Sequence, residues 1–117
     1  MKELIERLEK ATGPDRSIDL DIERDVRGAV PLHWRVGEGG VILSGFDDVG
    51  DSIPAYTASL DAALTLVPGD MDWLVGKSDS CPTASVQYPH FHPAWALAST
   101  PAIALCIAAL RAREQGK

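Results

Sequence analysis

The sequence predicts an α+β sandwich in which about four helices pack on a small, mostly antiparallel sheet. Two segments, at 56–68 and 99–114, carry apolar residues at helical spacing together with residues that begin and end helices. Between 70 and 98, short runs rich in β-branched and aromatic residues alternate with turn-forming residues, as in antiparallel strands. With 117 residues, 45% of them hydrophobic, the chain is expected to form one domain, residues 1–117.

The first helix is predicted at the start of the chain, in the segment MKELIERLEK. Leu4, Ile5 and Leu8 form an apolar stripe there, and charged residues occupy the other face. Gly13 and Pro14 supply the stop, so the helix is expected to end near the segment TGPD.

The next segment, SIDLDIERDV, is predicted to form a second helix. Ser17 can cap this helix, and Asp19 and Asp21 favour the positive end of its dipole. Its isoleucines and leucine also alternate as in a strand, but the helix is the preferred interpretation.

The stretch from Gly28 to Pro54 is rich in glycine and breaks the helical pattern. Within it, HWRV and VILSGF are predicted to pair as short strands around the turn GEGG.

The third helix is predicted in YTASLDAALTLVP. Its apolar face is formed by Leu60, Ala63, Leu64 and Val67. Thr57 or Ser59 can cap the helix, and Pro68 with Gly69 ends it.

Two further strands are predicted in MDWLVG and ASVQY, which the turn-rich segment KSDSCPT joins as an antiparallel pair. The segment AWALA can form another short strand.

The last helix has the strongest signal in the chain, STPAIALCIAALRARE. Ser99 or Thr100 can cap it, and Pro101 fits the first helical position, where its missing N–H costs nothing. Its apolar stripe is formed by Ile103, Ile107 and Leu110, with Cys106 beside them. This stripe is expected to lie in the core.

The order of LIERLEKATGPDR, YTASLDAALTLVP and STPAIALCIAALRAR resembles the phage α/β/α ("ABA") sandwich domain family, short proteins encoded by phages and proteobacterial prophages. These segments cover a little over a third of the chain. The resemblance implies an α/β/α-type sandwich, with helices on both faces of a small sheet. It also implies a phage or prophage protein that acts in the cytoplasm of the bacterial host, and it carries over no catalytic residues.

Composition disfavours several classes of partner. Eleven Lys and Arg against seventeen Asp and Glu give a formal charge of −6, which repels phosphate backbones, so nucleic-acid binding is not expected. No run reaches the ~18 apolar residues that span a bilayer, so no membrane partner is expected. Two cysteines without a disulfide framework, and an N-terminus unlike a signal peptide, predict a cytoplasmic location.

Candidate ligand-binding residues lie where cations and aromatic rings come together. Arg27, Trp34 and Arg35 form such a cluster, suited to the phosphate and base of a nucleotide. His33 and Trp95 join this set, because an exposed tryptophan beside a histidine would be the first site to test. At least two of the three tryptophans are expected in the core, since the chain has only two phenylalanines to fill volume.

A metal site is a less favoured candidate. His90 and His92 have the H-x-H spacing that places both imidazoles on one face of a strand, and Cys81 with Asp79 could complete a zinc tetrahedron. The prolines that flank the histidines make a stiff loop, however, and there is no C-x-x-C pair.

The leading functional prediction is a non-enzymatic phage accessory protein that binds a host or viral protein, without a cofactor and with homodimerisation as an option. The alternative is a small-molecule binding protein that sequesters a nucleotide signal. A small metalloprotein or hydrolase ranks third, because no arrangement of nucleophile, base and third partner is found.

Overall fold

The structure is a computed structural model, and the residues it describes are 2–28, 30–31, 33–67, 69, 71–78, 81–87 and 94–115. These residues form four α-helices and six β-strands. In chain order they are α1 (Lys2–Lys10), α2 (Arg16–Arg27), β1 (Arg35–Val36), β2 (Ile42–Ser44), β3 (Asp47–Asp48), α3 (Leu60–Leu64), β4 (Asp72–Ser78), β5 (Cys81–Gln87), β6 (Ala94–Leu97) and α4 (Pro101–Gln115). Among the described helices, none has both the length and the apolar character needed to cross a bilayer.

The strands form two three-stranded antiparallel sheets, each with its strands in chain order. The first sheet is β1-β2-β3, with Arg35 opposite Leu43. The second sheet is β4-β5-β6, with Trp73 opposite Val86. Both predicted strand pairs are confirmed, and AWALA forms β6. The predicted α+β class, with four helices and small antiparallel sheets, is therefore confirmed, and the strands divide between two sheets.

Two hydrophobic clusters accompany the two sheets. The smaller one, beside the first sheet, contains Leu20, Val30, Ile42 and Ile53. The main core contains Ile18 and Ile22 of α2 together with residues of the other helices and the second sheet. Residues 18 and 22 share a helix face, and Leu20 lies on the opposite side. The strand-like alternation in this segment is thus the pattern of a helix that lies between two cores.

Helix α4 is the centre of the main core. Thr100 caps it, because its Oγ1 accepts a hydrogen bond from the backbone N of Ile103 at 3.2 Å. Every residue from 102 to 110 is buried, so the predicted placement of Ile107 and Leu110 in the core is confirmed. The burial extends round the whole helix, since α4 contacts the second sheet as well as α1 and α3.

The cap of α2 differs from the prediction. Asp15, not Ser17, caps the helix, and its Oδ1 accepts hydrogen bonds from the backbone N of Ser17 at 2.8 Å and of Ile18 at 3.3 Å. Ser17 already lies in the first turn, where its Oγ accepts a hydrogen bond from Arg7.

Helix α3 is shorter than predicted. Ser59 caps it, with its Oγ accepting from the backbone N of Ala62 at 3.3 Å, and the helix ends at Leu64. The chain then turns so that Leu66 is buried, and the Leu66 carbonyl accepts a hydrogen bond from Arg113 Nε at 2.7 Å. Beyond Leu64 the backbone N–H groups of Thr65, Leu66 and Val67 bond to the carbonyls three positions earlier, so a tight turn takes the place of the predicted α-helical continuation.

Candidate functional site

The two faces of the second sheet differ in what covers them. Successive side chains of a strand point to opposite faces. Ala84 and Ala96 face each other across β5 and β6, and both are buried on the side that packs against α4. The other side is called the outer face here, and two cross-strand rows form its centre. They are Leu74, Ser85 and Trp95 in one row, and Gly76, Thr83 and Leu97 in the other.

A hollow of about 430 Å³ lies on the outer face. Its floor contains Gly76, Thr83 and Ser85, and its walls are the three large apolar side chains of the two rows. Gly76 contributes to the depth because it has no side chain. A Cβ added there would first meet Thr83 Oγ1, at 3.7 Å.

The walls of the hollow are exposed to solvent. The exposed fractions are 70% for Leu74, 58% for Trp95 and 49% for Leu97. Scattered exposed apolar residues are ordinary on a protein surface, whereas neighbouring ones around a concave centre are typical of a binding site. The outer face is therefore the candidate functional site.

The backbone of Trp95 is held in place from the neighbouring helix. Arg111 Nη1 donates a hydrogen bond to the Trp95 carbonyl at 2.9 Å, and Arg111 Nη2 contacts Glu9 Oε1 at 3.2 Å. The indole is thus presented to solvent from a fixed strand, and little ordering of the backbone is needed when a partner binds.

The prediction that at least two tryptophans belong to the core is wrong. Trp73 is 49% exposed, and Trp95 is more exposed still. Trp34 is the exception, because it packs against the small core beside the first sheet. The main core is filled instead by α4 and by the fully buried Tyr56, which leaves no need for the tryptophans of the second sheet.

Sequence reasoning named Trp95 but missed the two leucines of the site, Leu74 and Leu97. A signal was present, because DWLV and AWAL carry apolar residues at consecutive positions. Such runs predict strands that are apolar on both faces. They do not reveal which of the two faces is covered.

Trp95 and the other predicted ligand residues belong to different elements of the fold. Trp95 belongs to β6 of the second sheet, whereas residues 33–35 lead into β1 of the first sheet. Arg27 is the last residue of α2. The predicted set is therefore distributed over α2 and both sheets.

The predicted residues of the first sheet contact the turn that joins β2 and β3. His33 Nε2 and Ser44 Oγ lie 3.1 Å apart, and Arg35 Nη2 donates to the Gly45 carbonyl at 3.5 Å. Both side chains belong to exposed residues, while Trp34 is half-buried. Nucleotide binding at this cluster stays a prediction.

The predicted metal ligands are described only in part. Cys81 begins β5, and its Sγ lies 3.9 Å from the Pro82 carbonyl oxygen and 3.8 Å from that of Ala98. His90 and His92, like Asp79, lie outside the described residues. Within the described part of the chain, no three His, Cys, Asp or Glu side chains come together in a way that could hold a metal ion.

A buried polar cluster, which sequence reasoning missed, joins α2 to the segment before α3. Asp19 is fully buried, and its Oδ1 accepts hydrogen bonds from Thr57 N and Thr57 Oγ1, both at 2.8 Å. Arg16 Nη1 donates to Asp19 Oδ2 at 2.9 Å. Burial raises the pKa of the Asp19 carboxyl, and the bonds from Thr57 and Arg16 oppose this shift.

The guanidinium of Arg16 also donates hydrogen bonds to backbone carbonyls. Its Nη2 donates to the carbonyls of Gly50 at 2.8 Å and Ile53 at 3.1 Å. A hollow of about 490 Å³ lies beside it, but the cation there is already bound to Asp19 and to carbonyl oxygens. Arg16 therefore holds the 50–57 segment in place, and an added phosphate would have to displace these bonds.

Cys106 lies next to this cluster and is fully buried. Burial raises the pKa of its thiol, and the nearby charge of Asp19 raises it further. The thiol contacts the Tyr56 carbonyl at 3.3 Å. The expected place of Cys106 beside the buried stripe of α4 is confirmed, and its burial strongly disfavours the nucleophilic thiolate.

Comparison of the chain with family models, with curated proteins and with solved structures finds no match.

Proposed function

We propose that this chain acts by binding another protein, and that the outer face of the second sheet is its binding surface. The observation that carries the proposal is the hollow walled by Leu74, Trp95 and Leu97, which are all exposed. Tryptophan is enriched among the residues that contribute most to protein–protein affinity, especially near the centre of an interface.

The chemistry of the hollow favours an apolar protein side chain over a nucleotide. No residue that lines it is charged, and its polar side chains are the hydroxyls of Thr83 and Ser85. A phosphate would find no cation there, whereas an aliphatic or aromatic side chain would be surrounded by apolar walls. Two arginines at other hollows of the surface, Arg7 and Arg16, already form ion pairs with carboxylates.

The biological setting of the proposal comes from the family resemblance. A phage or prophage protein that acts in the bacterial cytoplasm would find its partner among host or viral proteins. The described contacts supply no catalytic arrangement that would favour an enzyme instead, so binding is the activity we assign.

The proposal is tested by photo-crosslinking in bacterial cells. A benzoylphenylalanine in place of Leu97, at the rim of the hollow, should give a covalent adduct with a protein identified by mass spectrometry. The same probe in place of Glu6, which is exposed on α1, should not give this adduct.

Substitutions then link the adduct to the hollow. Trp95→Ala should reduce the Leu97 adduct by about tenfold or more, the effect of removing a central tryptophan. The matched control is Phe46→Ala, which removes a fully exposed aromatic ring beside the first sheet. An adduct that survives Trp95→Ala unchanged, or that Phe46→Ala removes equally, would contradict the proposal.

A further inference from the structure

The two edges of the second sheet differ in what occupies them. β6 forms one edge, and the Trp95 carbonyl on it already accepts a hydrogen bond from Arg111. β4 forms the other edge and, in the described part of the chain, pairs with β5 alone. An edge strand of seven residues can offer its outward backbone groups to a further strand.

Among the described residues that line the hollow, the wall on this same edge has a gap at Gly76. Leu74 and Gly76 both belong to β4 and to the outer face, and Gly76 provides no side chain. A residue placed directly opposite Gly76 on an added strand would lie about 5 Å away and could cover the gap. The open edge and the open side of the hollow therefore coincide.

We propose that β4 pairs antiparallel with β4 of a second copy of this chain, about a two-fold axis through Val75, so that the partner's Leu74 covers Gly76 and completes the hollow. In this register Leu74 lies opposite the partner's Gly76, and the arrangement is the same on both sides of the axis. Leu74 of each copy therefore meets Gly76 of the other, so both copies use the same patch, as in an isologous interface.

The charges of β4 fit this register better than the register centred on Gly76. Lys77 lies opposite the partner's Trp73, and an ammonium group over an indole ring is a favourable pair. The two Lys77 residues are then offset by four positions, or about 14 Å along the strands. A shift of the axis to Gly76 halves this offset to about 7 Å and sets Lys77 against the partner's Val75.

The area of contact indicates a weak dimer. A strand of seven residues is about 24 Å long, and a sheet is about 10 Å thick, so the paired edges cover only a few hundred Å² per copy. A standard stable interface needs about 800 Å² per partner. Dimerisation is therefore expected to depend on concentration.

The role of the partner's Leu74 in binding rests on the proposed function, whereas the dimer itself does not. Sedimentation velocity of the full chain from about 10 to about 500 µM should show a shift from monomer towards dimer, as is typical of a small interface. Leu74→Glu with Gly76→Glu should abolish the shift, because the carboxylates introduced at these two positions would lie directly opposite each other across the strand pair. The isolated fold should accept the change, since the nearest atom to an added Cβ is 3.7 Å away, and circular dichroism checks this.

A compensating variant keeps the test independent of folding defects. The variant Leu74→Lys with Gly76→Glu sets unlike charges opposite each other and should recover dimerisation relative to Leu74→Glu with Gly76→Glu. Trp95→Ala, which lies outside the paired edge, should leave the dimer intact while it removes the crosslinked partner.

Three results would overturn the proposal. They are a wild-type chain that stays monomeric throughout this range, a dimer that the variant with two introduced glutamates leaves unchanged, and a variant with lysine and glutamate that dimerises no better than the one with two glutamates. A dimer that persists when no partner protein crosslinks to the Leu97 position would refute the proposed function alone.

Discussion

Replacement of Thr57 by Val is expected to destabilise the fold strongly, although the two side chains have nearly the same shape. Thr57 Oγ1 accepts a hydrogen bond from Asp15 N at 2.8 Å and donates to Asp19 Oδ1 at 2.8 Å. Valine can do neither, so the variant leaves a partly buried N–H without its acceptor and removes one donor from a buried carboxylate.

The magnitude follows from these two losses. A hydrogen bond to a charged group contributes about 1.5–3 kcal/mol, and an unsatisfied donor costs about 1–3 kcal/mol. Because the Asp15 N–H is only partly buried, we expect a total of about 2–4 kcal/mol in the free energy of unfolding. Urea unfolding measures this loss as a lower midpoint with an unchanged slope.

The matched control is Thr65→Val. Thr65 Oγ1 donates to the Ala62 carbonyl at 2.6 Å, but this bond is exposed, so water can replace it. Its cost should stay below about 0.5 kcal/mol, as for most surface substitutions. Equal losses in the two variants would show that burial of the Asp19 cluster does not decide the energy.

The cost of Thr57→Val should also depend on pH. Burial raises the pKa of Asp19 in the folded chain above the value of about 3.9 expected for an unfolded aspartate. The folded state thus takes up the proton first, so this group favours folding below the unfolded pKa, and that contribution is lost as the pH rises through the folded pKa.

The hydroxyl bond from Thr57 favours the charged carboxylate, so its removal raises the pKa of Asp19 further, while the bond from the backbone N of position 57 is retained. The difference between wild type and variant should therefore be largest near neutrality and shrink as the pH falls through the pKa of folded Asp19. A difference that is constant with pH would refute the assignment of this energy to the carboxylate.

Two further predictions concern the stability that helices α4 and α2 give to the fold. Ile107→Ala should lower the free energy of unfolding by about 2–5 kcal/mol, because Ile107 is fully buried, whereas Leu60→Ala, at a position 37% exposed, should cost clearly less in the same urea experiment. Asp15→Ala should cost about 1 kcal/mol through the lost cap of α2, and Ser17→Ala should cost less. Equal costs for the two cap variants, measured by thermal unfolding, would contradict the assignment of Asp15 as the cap.

Local signals in the sequence were sufficient for most elements of the fold. The apolar stripe of α1 and the cap, first-turn proline and apolar run of α4 each specify a helix without help from distant residues. The hairpins followed from β-rich runs on either side of turn-forming segments. Helix α3 was overestimated, because residues 65–67 form the i→i−3 hydrogen bonds of a tight turn, which the apolar periodicity does not distinguish from an α-helix.

The polar cluster could not be predicted in the same way. Asp19 and Thr57 are 38 positions apart, and each residue alone has an ordinary local role, one in the first turn of a helix and one as a candidate cap. Only the approach of α2 to the 50–57 segment shows that the two side chains satisfy each other. The contact between α2 and the 50–57 segment also explains why Arg16 donates hydrogen bonds to carbonyl oxygens of that segment.

The residues of the candidate site could be predicted to lie in strands, but their exposure to solvent could not be predicted. In β6 the small Ala96 is buried, and the large Trp95 and Leu97 are exposed, the reverse of what side-chain size would suggest. The reason is that α4 packs against this side of the sheet and already supplies the volume of the core, so small residues suit the contact. The large apolar side chains are then left on the face that no described helix covers. A partner protein that packs on the outer face would bury these side chains, as the helices bury the apolar residues on the other side of the sheet. The free energy gained by burying this apolar surface is the physical basis for assigning binding to the outer face.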